Sequence, residues 1–244
     1  MNNSENISGI VERHRTINEA WDAWFNRIKE QADKGYAENS RDGEVVGELL
    51  NTVTIIEDPT RCILQSGIRK LPVRYLVGEL LWYRSAKPTL DSIGLYTKAW
   101  ERMSDDGETV NSNYGYCIKE KYGFDQWDYV KNMLVENPLS RQAVLHIKTA
   151  DNTPSNDVNC TISCQFLLRD NKLYMTTYMR SNDLWMGFPN DIFQFTAMQV
   201  QMAMELGVNL GEYTHIAGSL HLYKRDYERA LKNLAIENIV LGSE

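Results

Sequence analysis

The stretch from Asp157 to Asp191, DVNCTISCQFLLRDNKLYMTTYMRSNDLWMGFPND, constrains this chain more than any other. Two alternating apolar runs, Thr161–Leu168 and Leu173–Met179, flank Arg169-Asp170-Asn171-Lys172. A period of two predicts strands, and an Asp-Asn pair between them predicts a tight hairpin. Cys160 stands at the mouth of the first strand, and Arg180, Ser181, Asn182 and Asp183 close the second. Gly187 and Pro189 follow, and Asp191 reads as the N-cap of a helix over Ile192–Glu205. A thiol, a guanidinium and two carboxylates therefore gather at strand ends and a helix start, where chemistry is often carried.

The flanking chain alternates helices with strands. Ile17, Trp21, Trp24, Phe25, Ile28 and Ala32 recur at helical spacing over 17–34, and Gly35 ends them. A turn over Asn39–Gly43 precedes a strand over Val45–Ile56. Residues 72–84 predict a helix with Pro72 near its first turn and Leu76, Val77, Leu80, Leu81 and Tyr83 facing the core. Glu79 sits among them, and a buried carboxylate is costly without a partner, which makes it a candidate functional residue. A further helix is expected through Trp100, a loop over Asn111–Gly115, and a helix over 125–135 stopped by Asn137-Pro138. Then come a strand over Ala143–Lys148 and a polar loop over 150–157. Met198, Met202 and Met204 read as core. A last strand, Glu212–Tyr223, puts His221 and Tyr223 on one face, and a helix closes the chain over Lys224–Ala235. Strands and helices intersperse without βαβ regularity, so the expected class is α+β. No repeat or boundary breaks residues 1–244, so a single domain is expected.

A net charge of −7 argues against a general nucleic-acid binder, whose phosphate contacts need a basic surface. The N-terminus, MNNSENISG, lacks a basic flank followed by an apolar core, and no apolar run spans a membrane. Cytoplasmic residence is expected. Cys62, Cys117, Cys160 and Cys164 form no CxxC pair and have no His at zinc spacing, so neither a metal site nor a disulfide framework is expected.

The central stretch resembles the active-site core of the thymidylate synthase superfamily. The resemblance rests on Cys160 with Gln165-Phe166 five residues on, Arg180-Ser181-Asn182-Asp183, Gly187-Phe188-Pro189, and Gly218-Ser219-Leu220-His221-Leu222-Tyr223. Two departures narrow it. Thr161 stands where that pattern has His, and Asp191 stands where it has the Asn that reads uracil. Both departures, with Asn111-Ser112-Asn113-Tyr114-Gly115, are similar to the phage deoxycytidylate hydroxymethylases.

The resemblance implies a mixed sheet flanked by helices, with a sheet face at a homodimer interface. It makes Cys160 the nucleophile and gives Glu79 and Tyr114 proton-transfer roles. Arg41, Arg141, Arg180 and Ser181 would hold the nucleotide phosphate, with Arg141 reaching the partner's site. Gln142 replaces a second arginine there. Gln165 joins the substrate-binding set. His221 and Tyr223 would bind the sugar hydroxyl, and Asp191 would read the base. Trp100, Asp183 and Gly187 would meet 5,10-methylenetetrahydrofolate as co-substrate. The alternative for Arg41 is a solvated loop residue.

The implied chemistry needs a thiolate that adds at carbon 6 of the pyrimidine and later leaves, a role suited to Cys. Carbon 5 then takes the one-carbon unit, and water addition gives a hydroxymethyl group. The expected activity is dCMP 5-hydroxymethylation. The rivals are a methylating relative acting on dCMP or dUMP, a CMP hydroxymethylase, and a catalytically idle nucleotide- or RNA-binding relative.

Overall fold

The computed structural model describes residues 7–150 and 154–241, with side chains to residue 236. The polar loop expected over 150–157 therefore lies partly outside the described residues. The chain divides into two compact units, one of residues 1–71, 180–196 and 212–244, the other of 72–179 and 197–211.

In the first unit, α1 (Ile17–Asp33) opens on a capping box: Thr16 Oγ1 accepts from the Glu19 N–H, and the Glu19 side chain accepts from the Thr16 N–H. These bonds satisfy donors that a helix start otherwise leaves unpaired. Ile17, Ala20, Trp21, Trp24, Phe25 and Ile28 form its buried face. Burying each large side chain of this kind stabilises by roughly 1.5–3 kcal/mol. Trp21 stacks on Phe25 with ring centroids 5.1 Å apart and donates to the Leu184 carbonyl. The sheet of this unit is mixed. β1 (Val11–His14) runs parallel to β3 (Gly43–Ile56), and the short β2 (Glu38–Ser40) forms a hairpin with β3. The long β8 (Asn209–Tyr223) pairs antiparallel with β3, and β7 (Asn182–Asp183) pairs parallel with β8. α6 (Lys224–Leu241) follows β8 directly.

The second unit carries an antiparallel meander, β4 (Val144–His146), β5 (Thr161–Arg169) and β6 (Lys172–Met179). Asp170 and Asn171 turn the β5–β6 hairpin with φ of 50° and 56°, the left-handed pair that matches strand twist. Its helices are α2 (Val73–Ser85), α3 (Tyr114–Lys119) and α4 (Gln126–Glu136), the last capped by Asp125. α5 (Gly187–Leu206) begins in the first unit's residues and ends in the second's. The Gln199 side chain there donates to the carbonyls of Leu173 and Gly211. Among the described residues no helix is long and apolar enough to cross a membrane.

Several expectations need correction. α5 starts a turn earlier than Asp191, which is its fifth residue and not its N-cap. Pro189 is the cause: it fits a first helical turn because N–H groups there lack intrahelical partners anyway. Val77 and Leu81 are exposed, while Glu79 and Trp82 are buried. Apolar residues around most of α2 hid which face packs. Met204 is 76% exposed, unlike the buried Met198 and Met202. Only single 3-10 turns, Ile93–Leu95 and Trp100–Arg102, occupy the region expected as a helix through Trp100. Tyr114 opens α3 with Asn113 as its cap and does not lie in a loop.

Candidate active site

The expected site residues fall into two sets, one on each unit. On the first unit, β7 lies beside β8 so that Asn182 registers with Leu220 and Asp183 with His221. His221 and Tyr223 share a strand face, and their rings meet edge to face with centroids 5.2 Å apart. Ser219 lies on the same face, 3.3 Å from His221 Nδ1, and its hydroxyl donates to Glu48. Burial pushes the Tyr223 phenol up from its ordinary pKa. Arg225 stacks over Tyr223 at 4.3 Å and donates to the Asp42 carbonyl. Arg41 is exposed at the β2–β3 turn and pairs with Asp42 at 3.3 Å. Arg180, also exposed, and half-buried Ser181 precede β7.

Asp183 Oδ1 accepts from the Trp185 N–H at 2.7 Å and from the Met186 N–H. Burial pushes its carboxyl up, against the pull of those N–H groups and of His221. The buried Arg69 closes this corner, donating to the Trp185 carbonyl at 2.9 Å with its guanidinium over the Trp185 ring.

Asp191 is half-buried and accepts from Asn182 Nδ2 at 2.7 Å. Asn182 Oδ1 lies 3.1 Å from His215 Nε2, and His215 Nδ1 lies 2.9 Å from the Tyr213 hydroxyl. Gly187, one turn before Asp191, makes room for this pair. A Cβ there would meet Asn182 Nδ2 at 2.8 Å and Asp191 Oδ2 at 3.2 Å.

On the second unit, half-buried Cys160 immediately precedes β5. Thr161 after it is fully buried, with a hydroxyl that meets no hydrogen-bond partner among the described residues. The chain before Cys160 is latched to the loop that leads into α3. Asp157 accepts from the Ser112 N–H at 2.7 Å and from its hydroxyl, and Asn111 donates to the Asp157 carbonyl at 2.9 Å. Asn159 donates back to the Asn111 carbonyl at 3.0 Å. The Ser112 bonds oppose the upward pressure that burial exerts on the Asp157 carboxyl. Asn111, Asp157 and Asn159 line a cleft of about 360 Å³, with Lys121 and Lys148 on its wall.

Tyr114 is buried against Tyr83, ring centroids 5.2 Å apart. Glu79 is buried and accepts from the Tyr75 hydroxyl at 2.6 Å, and the Trp100 indole N–H lies 3.2 Å from that same hydroxyl. Half-buried Trp100 also packs on Trp82, centroids 5.4 Å apart. Gln165 donates to the Arg141 carbonyl at 2.9 Å, leaving the Arg141 side chain exposed. Cys164, fully buried, has its thiol pushed up to about 12 by burial. All four cysteines are free thiols, and among the described residues no His, Cys, Asp and Glu cluster could hold a metal.

Asn182, His215, Tyr213, Tyr75, Arg69 and Arg225 were not among the expected site residues. Tyr75 carried a usable signal, lying one helical turn from Glu79. The Asn182–His215 contact joins residues far apart in sequence and had none.

Comparison with known proteins identifies the family to which this α+β chain belongs. Residues 22–240 match the family model described as thymidylate synthase, and the chain belongs to that family. It is accordingly a one-carbon transferase acting on a pyrimidine nucleotide. The chain is 27% identical over 237 residues to a putative thymidylate synthase of Methanosarcina barkeri, covering 96% of each. To a thymidylate synthase of Bacillus licheniformis it is 29% identical over 168 residues, 64% of this chain and 60% of that protein. To a deoxyuridylate hydroxymethyltransferase of Bacillus phage SP01 it is 30% identical over 200 residues, 76% of this chain and 52% of that protein. The fold is that of the thermostable thymidylate synthase A from Bacillus subtilis, with a TM-score of 0.72 at 20% identity, over 89% of this chain and 84% of that one.

Proposed function

We propose that this chain is a pyrimidine nucleotide C5-hydroxymethyltransferase whose substrate is dCMP. The similarity to a phage deoxyuridylate hydroxymethyltransferase supports the hydroxymethyl product. Asp191 carries the choice of base. It does not cap its helix, so that structural explanation for a carboxylate here falls away. Uracil offers an acceptor at position 4 and a donor at ring nitrogen 3, which an amide complements. Cytosine offers an amino donor at position 4 and an acceptor at nitrogen 3. A carboxylate accepts from the amino group, and one proton shared with nitrogen 3 completes the match. That proton also makes carbon 6 more electrophilic, so Asp191 both selects and activates.

The Cys160 thiolate adds to carbon 6, and the ring becomes an enamine whose carbon 5 is nucleophilic. Arg180 binds the phosphate. Arg41 and Ser181 complete the phosphate set, and His221 and Tyr223 hold the sugar hydroxyl. Gln165 fixes the Arg141 backbone, and Arg141 serves the partner's site in a homodimer. Glu79, held by Tyr75, and Tyr114 move the proton lost from carbon 5 and position the water that adds. Asp183 offers a half-buried acceptor fixed by two backbone N–H groups, which suits the N–H-bearing edge of a pterin. Trp100 offers an indole face, and Gly187 keeps the helix start open. These residues fit 5,10-methylenetetrahydrofolate, which when bound supplies the one-carbon unit.

A second reading, hydroxymethylation of dUMP, has the phage relative in its favour. Incubation with dCMP, dUMP or CMP and methylenetetrahydrofolate, followed by product mass, decides among them. The expected result is a gain of one CH₂O on dCMP. Gain of CH₂ with dihydrofolate formation rejects the reading for a methylating one, and modification of dUMP alone transfers it to the second.

A further inference from the structure

We propose that Asn182 is a positioning residue for base choice, holding Asp191 as an acceptor through a buried relay that runs Tyr213, His215, Asn182, Asp191. The inference rests on the reading that Asp191 meets the nucleobase. All four residues lie in the first unit, and every link has hydrogen-bond length: 2.9 Å, 3.1 Å and 2.7 Å in that order. Tyr213, His215 and Asn182 are buried, so water does not scramble their polarity.

The relay has only two self-consistent settings when His215 is neutral, because a neutral imidazole has one N–H and one acceptor nitrogen. In the first, the Tyr213 hydroxyl donates to Nδ1, Nε2–H donates to Asn182 Oδ1, and Asn182 Nδ2–H donates to Asp191. Asp191 is then an acceptor at Oδ2, and any proton it shares with a base sits elsewhere. In the second, the imidazole carries its hydrogen on Nδ1, the Asn182 amide is flipped, and its oxygen faces Asp191. Two acceptors 2.7 Å apart are tolerable only if Asp191 is itself protonated. The amide orientation, with Oδ1 toward His215 and Nδ2 toward Asp191, is that of the first setting. Burial holds the His215 pKa down to about 3, which keeps the imidazole in the neutral form that the relay needs. Gly187 protects the last link, since a side chain there would strike the Asn182 amide.

The first setting matters for specificity because the donor side of the carboxylate is settled before the nucleotide arrives. An amide in place of Asp191 would have to accept from Asn182 with its oxygen, turning its own N–H₂ outward. Asn182 thus fixes which pattern position 191 presents, for either residue.

The test uses the full chain with two independent readouts. Nitrogen-15 NMR of His215 at neutral pH is expected to show the Nε2–H tautomer, and an Nδ1–H tautomer overturns the proposal. The second readout is the ratio of kcat/KM for dCMP to that for dUMP. Asn182→Ala is expected to reduce it about tenfold, the effect of one lost polar contact in a dry site. Asp191→Asn, the reference variant, should reduce it at least as much. If Asp191→Asn moves the ratio and Asn182→Ala does not, the relay proposal fails while the base reading stands. If Asp191→Asn leaves the ratio unchanged, the base reading fails and the proposal with it. Asn182→Ala strands a buried imidazole N–H and can cost the fold, so Tyr213→Phe, which removes one hydroxyl, is the second variant. It should populate both tautomers and shift the ratio in the same direction. A folded Tyr213→Phe protein with unchanged His215 signals and an unchanged ratio overturns the relay.

Discussion

The Tyr75 hydroxyl donates to Glu79 Oε1 at 2.6 Å from one turn earlier on α2. Glu79 is 4% exposed, so this O–H offsets much of the cost of burying a carboxylate. Tyr75→Phe removes the donor and leaves the acid, at a cost of roughly 1–3 kcal/mol to the ionised form. The expected outcome is a several-fold lower kcat with the acid limb of the pH–rate profile displaced upward, because the neutral carboxyl gains on the carboxylate. An unchanged profile would detach Glu79 from the proton transfers. A fall in Tm with full kcat would make the pair structural only.

Cys160 and Cys164 separate reactivity from burial. Cys164 lies in β5, fully buried, with its thiol near 12 and the Thr177 hydroxyl 3.6 Å from its sulfur. Cys160 is half-buried at the strand's mouth. Cys160→Ser should abolish turnover while dCMP affinity stays within about tenfold, roughly 1.4 kcal/mol. Cys164→Ser should retain most of the activity. Turnover by Cys160→Ser near the parent rate would remove the nucleophile assignment.

What the sequence made legible was local. The β5–β6 hairpin could be read because alternation and the Asp170-Asn171 turn lie within one short window. The halt of α4 at Asn137 could be read for the same reason. Position 191 differs from its expected N-cap role because an acidic residue after a proline resembles a start signal, while Pro189 itself sits within the first turn of a helix that begins at Gly187. Apolar residues around most of α2 gave no single stripe, so Val77 and Leu81 were turned inward wrongly. The relay through His215 arises from the parallel pairing of β7 with β8, which no window of sequence contains.

Gly115 tests the α2–α3 contact that buries Tyr114. A Cβ at this position would lie 1.6 Å from the Tyr83 carbonyl oxygen, a backbone atom that cannot swing aside. Gly115→Ala should destabilise by about 3 kcal/mol or more. For a chain of this size that corresponds to a fall in Tm of roughly 6–12 °C. A Tm within a degree or two of the parent would mean that α2 and α3 are not packed this closely.

Arg141 is exposed, and its carbonyl, not its guanidinium, is held by Gln165. In the proposed dimer its side chain serves the other subunit. Mixed Arg141→Ala and Cys160→Ala subunits should therefore regain activity, because a hybrid dimer holds one intact site. Activity of the exchanged mixture no higher than that of either parent would refute the shared site.

His215 gives the relay a signature in stability. Its folded pKa is lowered by burial to about 3, whereas in the unfolded chain it returns to about 6.5. Between those values the unfolded state binds a proton that the native state excludes, so stability falls as pH is lowered through this window. The contribution is fully present above about pH 6.5 and is lost toward pH 3, at a limiting slope of about 1.4 kcal/mol per pH unit. Urea unfolding of the parent should therefore steepen with acid beyond what the carboxylates produce. His215→Phe should show a shallower dependence across the same range, by close to one proton, whatever its absolute stability. Parallel curves for the two proteins would mean that His215 is protonated in the native state at mildly acid pH. The Nε2–H to Asn182 would then not be the single N–H of a neutral ring, and the argument that fixes Asn182's orientation would lose its premise.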